Sequence, residues 1–419
     1  MRKTLLMLFF VLTFILLNKN IYCIEINPGE KDPVAQYNIG MMYYNGEGMD
    51  ADYREAYKWL KKSALQGNAN AQYEIGGFHA SGTGNIRQSD EEAVKWYQKA
   101  AAQGQSNAQF YLAEMYENGT GIKKNEKEAF KWYQKAAQNA NVDAQYRMGE
   151  LYYNGVLVEK NLEEAAKWYK KASEQKDKRA QYRLGMMYKN GEFLEQDIEA
   201  ARELFKESAD AGYDKSQIAV GNYYYDNNNY KSAFNWYNRA AKQGNSDAEY
   251  YLGLMCYYGD LGYKNYPAAL EYFRRASVSD KKEAVYMLGV VYYEGLNIPQ
   301  NYPLAMEYFK DSAEKYNDKE AQYMLGIMYY NGEGVVQNMD EAKKWLELSA
   351  AQGYSEAIEK LKSLSNDELK DILPDKNDSS VKISNDIALS TCNVSVNGII
   401  PSTDSVNNIA DITKAGNTK

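Results

Sequence analysis

The sequence predicts an all-α protein, an α-solenoid of about nine helix-turn-helix repeats closed by a terminal cap. Three observations carry that prediction. One phrase recurs, as AQYNIGMMYYNGEG at 35–48 and again as AQYMLGIMYYNGEG at 321–334. The copies between them keep a nearly fixed period. Inside each period, small and apolar residues fall at helical spacing.

The small residue that anchors the phrase stands at Ala35, Ala71, Ala108, Ala144, Ala180, Ser216, Ala248, Ala284, Ala321 and Ala357, at intervals of 36, 37, 36, 36, 36, 32, 36, 37 and 36. The array therefore covers residues 32–362. Its repeats begin near 33, 69, 106, 142, 178, 214, 246, 282 and 319, with a partial cap from 355. Units of this size bury their apolar faces only against their neighbours.

In the first segment of repeat one, Ala35, Ile39, Gly40 and Tyr43 share a face at offsets 0, 4, 5 and 8 from the anchor. The second segment, as in EAFKWYQKAA at 128–137, places Ala129, Trp132, Ala136 and Ala137 on one stripe. Between them runs NGEG or NGTG, whose first glycine suits the left-handed turn that ends a helix. All six tryptophans, Trp59, Trp96, Trp132, Trp168, Trp236 and Trp345, lie three residues after the alanine of a second helix. A large side chain recurring at one site, with glycine at Gly40, Gly76, Gly149, Gly185, Gly221, Gly253, Gly289 and Gly326, reads as close-packed core.

Ahead of the array, residues 1–23 read as a secretory signal: Arg2 and Lys3, an apolar run from Leu5 to Leu17, then a polar exit. The run is short for a bilayer span, and no later stretch is apolar enough for one. A lipid anchor at Cys23 is the lesser reading, because Asn20-Ile21-Tyr22 lacks the small residues of such a processing site. Removing 1–23 takes away Arg2, Lys3 and Lys19 and no acids, so net charge moves from −8 to −11. That balance disfavours nucleic acid and anionic membranes as partners. The mature chain keeps Cys256 and Cys392, too few for a disulfide framework, and whether they pair stays open. Residues 366–419 contain no tryptophan, tyrosine or phenylalanine and read as a polar, disordered tail.

Chemistry has little to work with, and no catalytic residue, cofactor or metal site is expected. His79, the only histidine, and Cys256 both occupy a column that elsewhere holds Tyr43, Tyr116, Tyr152, Tyr188, Tyr224, Tyr292 and Tyr329. Both read as packing substitutions, far apart in a quasi-linear array. The loop NGEGMDAD (45–52) lacks the acidic alternation of a calcium loop.

The pattern A-Q-Y-x-x-G-x-x-Y-x-N-G-x-G followed by E-A-x-K-W-Y-x-K-A-A-x-Q-G resembles the Sel1-like repeat family, a relative of the tetratricopeptide repeats. Repeat six departs most, with DNNN (226–229) in place of the long loop, and repeat five reads NGEFLEQ without the second glycine. The resemblance implies a right-handed superhelix and an adaptor or scaffold that assembles other proteins. Some relatives with paired cysteines in each repeat are linked to cell-wall precursors or β-lactams, and those cysteines are absent here.

Recognition belongs on columns that vary while the core repeats. Offsets 3 and 6 lie opposite the core face of the first helix, and the resemblance places them on the concave surface. Repeats two to five hold Glu74, Glu114, Arg147, Glu150 and Arg183 in these columns, whereas repeats seven to nine hold Tyr251, Leu254, Met287, Val290, Met324 and Ile327. That apolar strip is the expected partner-binding site, for an amphipathic or extended protein segment. Alternatively the strip is buried within the solenoid, or covered by the tail or by a second copy of the chain. The resulting expectation is an exported scaffold, in a periplasm, at a cell surface, outside the cell or in a secretory lumen. The alternatives are a cell-wall or carbohydrate binder using Tyr44, Tyr153 and Tyr330, and a hydrolase embedded in the repeats.

Overall fold

A computed structural model describes residues 29–48, 50–279 and 281–372. The signal segment 1–23 and the tail from 373 onward lie outside the described residues. The chain divides into two compact units, with the boundary between Ser208 and Ala209. In the first, α1 (Pro33–Asn45) packs on α2 (Tyr53–Leu65) and α3 (Ala69–Ser81) on α4 (Asp90–Ala102). The series continues with α5 (Ser106–Asn118) on α6 (Glu126–Gln138) and α7 (Val142–Asn154) on α8 (Leu162–Glu174), then α9 (Lys178–Asn190) and α10 (Ile198–Asp210). In the second unit the pairs are α11 (Asp214–Asp226) with α12 (Tyr230–Ala241) and α13 (Ser246–Tyr258) with α14 (Tyr266–Val278). They are followed by α15 (Lys282–Glu294) with α16 (Tyr302–Tyr316), and α17 (Lys319–Asn331) with α18 (Met339–Ala351). The last helix, α19 (Ser355–Ile372), packs on α18 and carries helix into the first residues expected to be tail. Among the described residues there is no strand, and the fold is an all-α solenoid. The odd-numbered helices through α17 carry the AQY phrase or its variants.

Local signals set the helix ends. Asp32, Asn68, Gln105, Asn141, Asp177, Asn245 and Asp318 each accept, through the side chain, the backbone N–H of the anchoring alanine three residues on. The first loop glycine closes the same helices in the left-handed region, as at Gly46 (φ 71°) and Gly155 (φ 70°). The second glycine has a further task. A Cβ on Gly121 would sit 2.4 Å from the Asp90 carbonyl, so this loop lies directly on the start of the preceding repeat's second helix. Repeat five places Phe193 at this point with φ 63° and its ring largely in solvent.

Each turn is then locked by one backbone bond. The N–H of Asp52, Ser89, Asn125, Asn161, Asp197, Asn265, Asn301 and Asn338, the residue just before each second helix, donates to the carbonyl at offset 8, at 2.8–3.1 Å. That column holds tyrosine in most repeats and His79 or Cys256 in two. Its main chain does the joining, so the side chain is free to vary.

The tryptophans are core, as expected, but the recurring glycine meets a different side chain. Trp59, Trp96, Trp168, Trp236 and Trp345 are buried and Trp132 half-buried, but the glycine meets the residue that follows the tryptophan. A Cβ on Gly149 would lie 2.4 Å from the Tyr169 ring, and one on Gly253 2.5 Å from Phe273. Tyr169, Tyr237, Phe273 and Phe309 are consequently among the most deeply buried side chains. Five of the six tryptophans lie instead under a cation three residues on, with Lys62, Lys99, Lys135 and Lys171 at 4.0–4.2 Å and Arg239 at 4.4 Å from the ring centroids.

A glutamine ladder joins successive repeats. The residue after the anchor is a buried glutamine in most of them. Its Nε2 donates to the end of the preceding repeat's second helix, as Gln109 does to Ala101 (3.0 Å) and Gln145 to Ala137 (3.2 Å). Its Oε1 accepts from the amide that caps its own repeat, as from Gln103 to Gln72 (2.7 Å) and Gln175 to Gln145 (2.7 Å). The amides of Gln109 and Gln145 are thus engaged at both ends, whereas Gln181 donates to Glu207 at 2.7 Å and its buried Oε1 accepts no hydrogen bond among the described residues. Repeats seven and eight leave the ladder: Glu249 pairs with Arg275 at 3.2 Å, and Val285 has nothing to donate.

Candidate functional site

The six residues expected to form an open apolar strip all stand on α13, α15 and α17, where three of them are buried and three half-buried. Met287, Val290 and Met324 are 3 %, 6 % and 3 % exposed and belong to one core cluster with Tyr250, Phe273 and Phe309. Tyr251 and Leu254 pack half-buried against that cluster, and Ile327 is half-buried. The cause lies in the stacking. Large apolar side chains at the same offsets in consecutive repeats cover one another, and α15, apolar all round, is buried at every residue from Ala284 to Tyr292. These columns are core at Met287, Val290 and Met324 and half-buried at Tyr251, Leu254 and Ile327.

In the first unit the same columns hold mostly polar, partly exposed residues, with Met41, Gly77 and Met186 among them. Arg147 on α7 pairs with Glu117 on α5, and Arg183 on α9 pairs with Glu150 on α7 at 2.8 Å. The buried tyrosines of the second helices reach the same carboxylates: Tyr133 donates to Glu117 (2.7 Å) and Tyr169 to Glu150 (2.6 Å). Each of these acids therefore takes a cation from the following repeat and a hydroxyl from its own.

Glu74 on α3 and Glu114 on α5 are answered differently. Neither has an ion-pair partner among the described residues, and burial raises the carboxyl of each above its ordinary range. Where a cation would reach Glu74 from the next repeat stands Tyr111, 41 % exposed. Its ring stacks on Tyr97 (centroids 5.7 Å, planes 16° apart) and on Tyr73 (6.0 Å, 27°).

A profile of the Sel1 repeat matches residues 33–68, 69–105, 106–141, 142–177, 178–213, 215–245, 246–277, 282–317 and 319–354. The chain belongs to the Sel1 repeat family. A solved relative is c5321, a protective antigen of uropathogenic Escherichia coli, 32 % identical with a TM-score of 0.70 over 79 % of this chain and 72 % of that one. A Sel1 repeat protein from Oxalobacter formigenes is 27 % identical with a TM-score of 0.53, over 81 % and 95 % of the two chains. No curated protein matches at a significant level. Sel1 repeat solenoids generally mediate protein–protein interaction and are typically non-catalytic.

The remaining sequence candidates are occupied by the Sel1 framework. His79 is half-buried, its Nε2 3.2 Å from the Tyr57 hydroxyl and its Nδ1 3.4 Å from the Arg87 carbonyl. Cys256 is half-buried, has no cysteine partner among the described residues, and burial raises its thiol. Cys392 lies outside the described residues. Of the tyrosines considered as sugar platforms, Tyr44 is 36 % exposed. Tyr153 donates to Glu192 at 2.7 Å, and Lys360 lies 3.7 Å above the Tyr330 ring. Among the described residues no three metal-binding side chains converge, and no helix is long and apolar enough to cross a membrane.

Sequence reasoning missed the glutamine ladder and the tyrosine stack. The ladder was visible as a glutamine after nearly every anchor. The stack was not, because Tyr73 and Tyr111 sit at different offsets of different repeats.

Proposed function

We propose that this Sel1 repeat protein is exported and works as a scaffold, holding a partner protein against the inner, odd-numbered-helix face of its first unit. One observation carries the reading. The core columns of that unit are nearly uniform, while offsets 3 and 6 hold half-exposed Glu74, Tyr111, Glu114, Arg147, Glu150 and Arg183, a surface that differs from repeat to repeat. Variation on a rigid periodic frame is how a solenoid acquires specificity. The basic-then-apolar segment 1–23 supports export, as does the E. coli relative, described as a protective antigen.

The test has two arms. Mass spectrometry of the chain from its native cell is expected to give a mature species beginning near residue 24, and an intact Met1 form confined to the cytoplasm overturns export. The purified chain is then offered envelope proteins and wall polymer separately. Saturable retention of one protein at fixed stoichiometry is the expected result. Retention on polymer alone replaces the scaffold with a wall-binding function.

A further inference from the structure

We infer that the inner face of repeats two and three receives a basic side chain, arginine or lysine, from an extended segment of the partner, held between Glu74 and Glu114 over the stacked rings of Tyr73, Tyr97 and Tyr111. This deepens the scaffold reading and rests on it.

Charge complementarity is the first argument. Along the first unit, inner-face carboxylates take a cation from the repeat that follows: Arg147 for Glu117 and Arg183 for Glu150. Glu74 and Glu114 break the rule. The cation column after Glu74 holds Tyr111, and Arg147, the one after Glu114, is committed to Glu117. Glu74 is thus partly stripped of water without an opposite charge to offset the loss, and Glu114 has only a share of Arg147, whose ion pair is with Glu117. A cation delivered from outside supplies the missing charge.

Shape is the second. At offset 6, where other repeats carry Met41, Glu114, Glu150, Met186, Asn222, Leu254, Val290 and Ile327, repeat two has Gly77. A Cβ there would meet one atom within 4 Å, the Tyr97 hydroxyl at 3.8 Å. The missing side chain leaves a recess floored by that hydroxyl, and the tyrosine stack lies alongside it, with Tyr111 exposed at its edge. Aromatic faces attract cations, and a planar guanidinium can stack on a ring while giving N–H groups to a carboxylate. Arginine therefore fits better than lysine. An acidic or apolar segment gains nothing from either carboxylate.

The experiment selects random peptides of about twelve residues on the full-length chain, then titrates the best one by fluorescence polarisation. Retained peptides are expected to share a basic residue. Replacing that residue by citrulline, or using the Glu74→Gln/Glu114→Gln chain, should each weaken binding about tenfold, with the two changes together costing little more than one. Tyr111→Ala should weaken it several-fold, with circular dichroism confirming that each variant stays folded. Peptides without basic enrichment overturn the inference, as does a citrulline effect of equal size on the parent and double-Gln chains. If a partner is captured as proposed above while the selected peptides ignore these residues, the inference falls and the scaffold remains.

Discussion

Replacing Met287 by glutamate separates two opposed accounts of one column. If offset 3 faces solvent along the whole array, the change is a surface charge and costs within about 0.5 kcal/mol. The structure makes it core. Met287 is 3 % exposed in a cluster whose members are all uncharged. Burying a methionine contributes about 1.5–3 kcal/mol, and truncating one costs about 2–5 kcal/mol. Glutamate loses much of that packing and places a carboxyl where it must take up a proton or open the repeat. We expect a loss of about 4 kcal/mol or more, comparable to a large part of a domain's total stability. Because a solenoid is stabilised by neighbours, the loss should stay local. Hydrogen exchange should show protection falling by about three orders of magnitude over α13–α17 and staying unchanged over α3–α8. Met324→Glu should behave alike. Asn38→Glu, in the same column of repeat one but exposed, is the control and should be near neutral. A Met287→Glu chain with parental protection that has lost only partner capture would refute the argument and restore the open strip.

Three further outcomes follow from the same geometry. Gly149→Ala should destabilise by about 1–3 kcal/mol in urea, since its Cβ would lie 2.4 Å from the Tyr169 ring, which a hydrogen bond to Glu150 holds in place. The helix propensity of alanine favours the opposite sign by up to about 1 kcal/mol, so a stabilised variant would refute the close contact between the helices. Gln145→Met keeps the volume but removes the inter-repeat hydrogen bond to the Ala137 carbonyl, which the Ala140 N–H still reaches at 3.2 Å, and the bond from the exposed Gln175 amide. The cost should be about 0.5–1.5 kcal/mol; an unchanged urea midpoint would refute the ladder's role. Burial pushes the Asp318 carboxyl up from 3.8 to about 6, so this group favours folding most below pH 4 and loses that contribution as pH rises through 6. Asp318→Asn keeps the cap, as Asn68 and Asn141 show, and should gain on the parent between pH 4 and 7 by up to about 3 kcal/mol. A pH-independent difference would contradict the burial argument.

The sequence alone determined the repeat, because a period near 36 residues and a helical spacing of small and apolar residues are one-dimensional facts. It determined the turns too, since the positive φ of the loop glycines is a property of one residue at a time. Only the tertiary structure decided which face of each repeat is open. Offsets 3 and 6 have the same helical angle in every repeat, yet Met287 and Met324 are core while Tyr111 meets solvent. Exposure there depends on what the neighbouring repeats place beside each side chain: bulky apolar groups close over each other, whereas charged and small ones leave the surface wet. The glycine contact shows the same division. The periodicity announced that something large meets Gly149, but the direction of the side chains on the opposing helix made that partner Tyr169 and left Trp168 beneath Lys171.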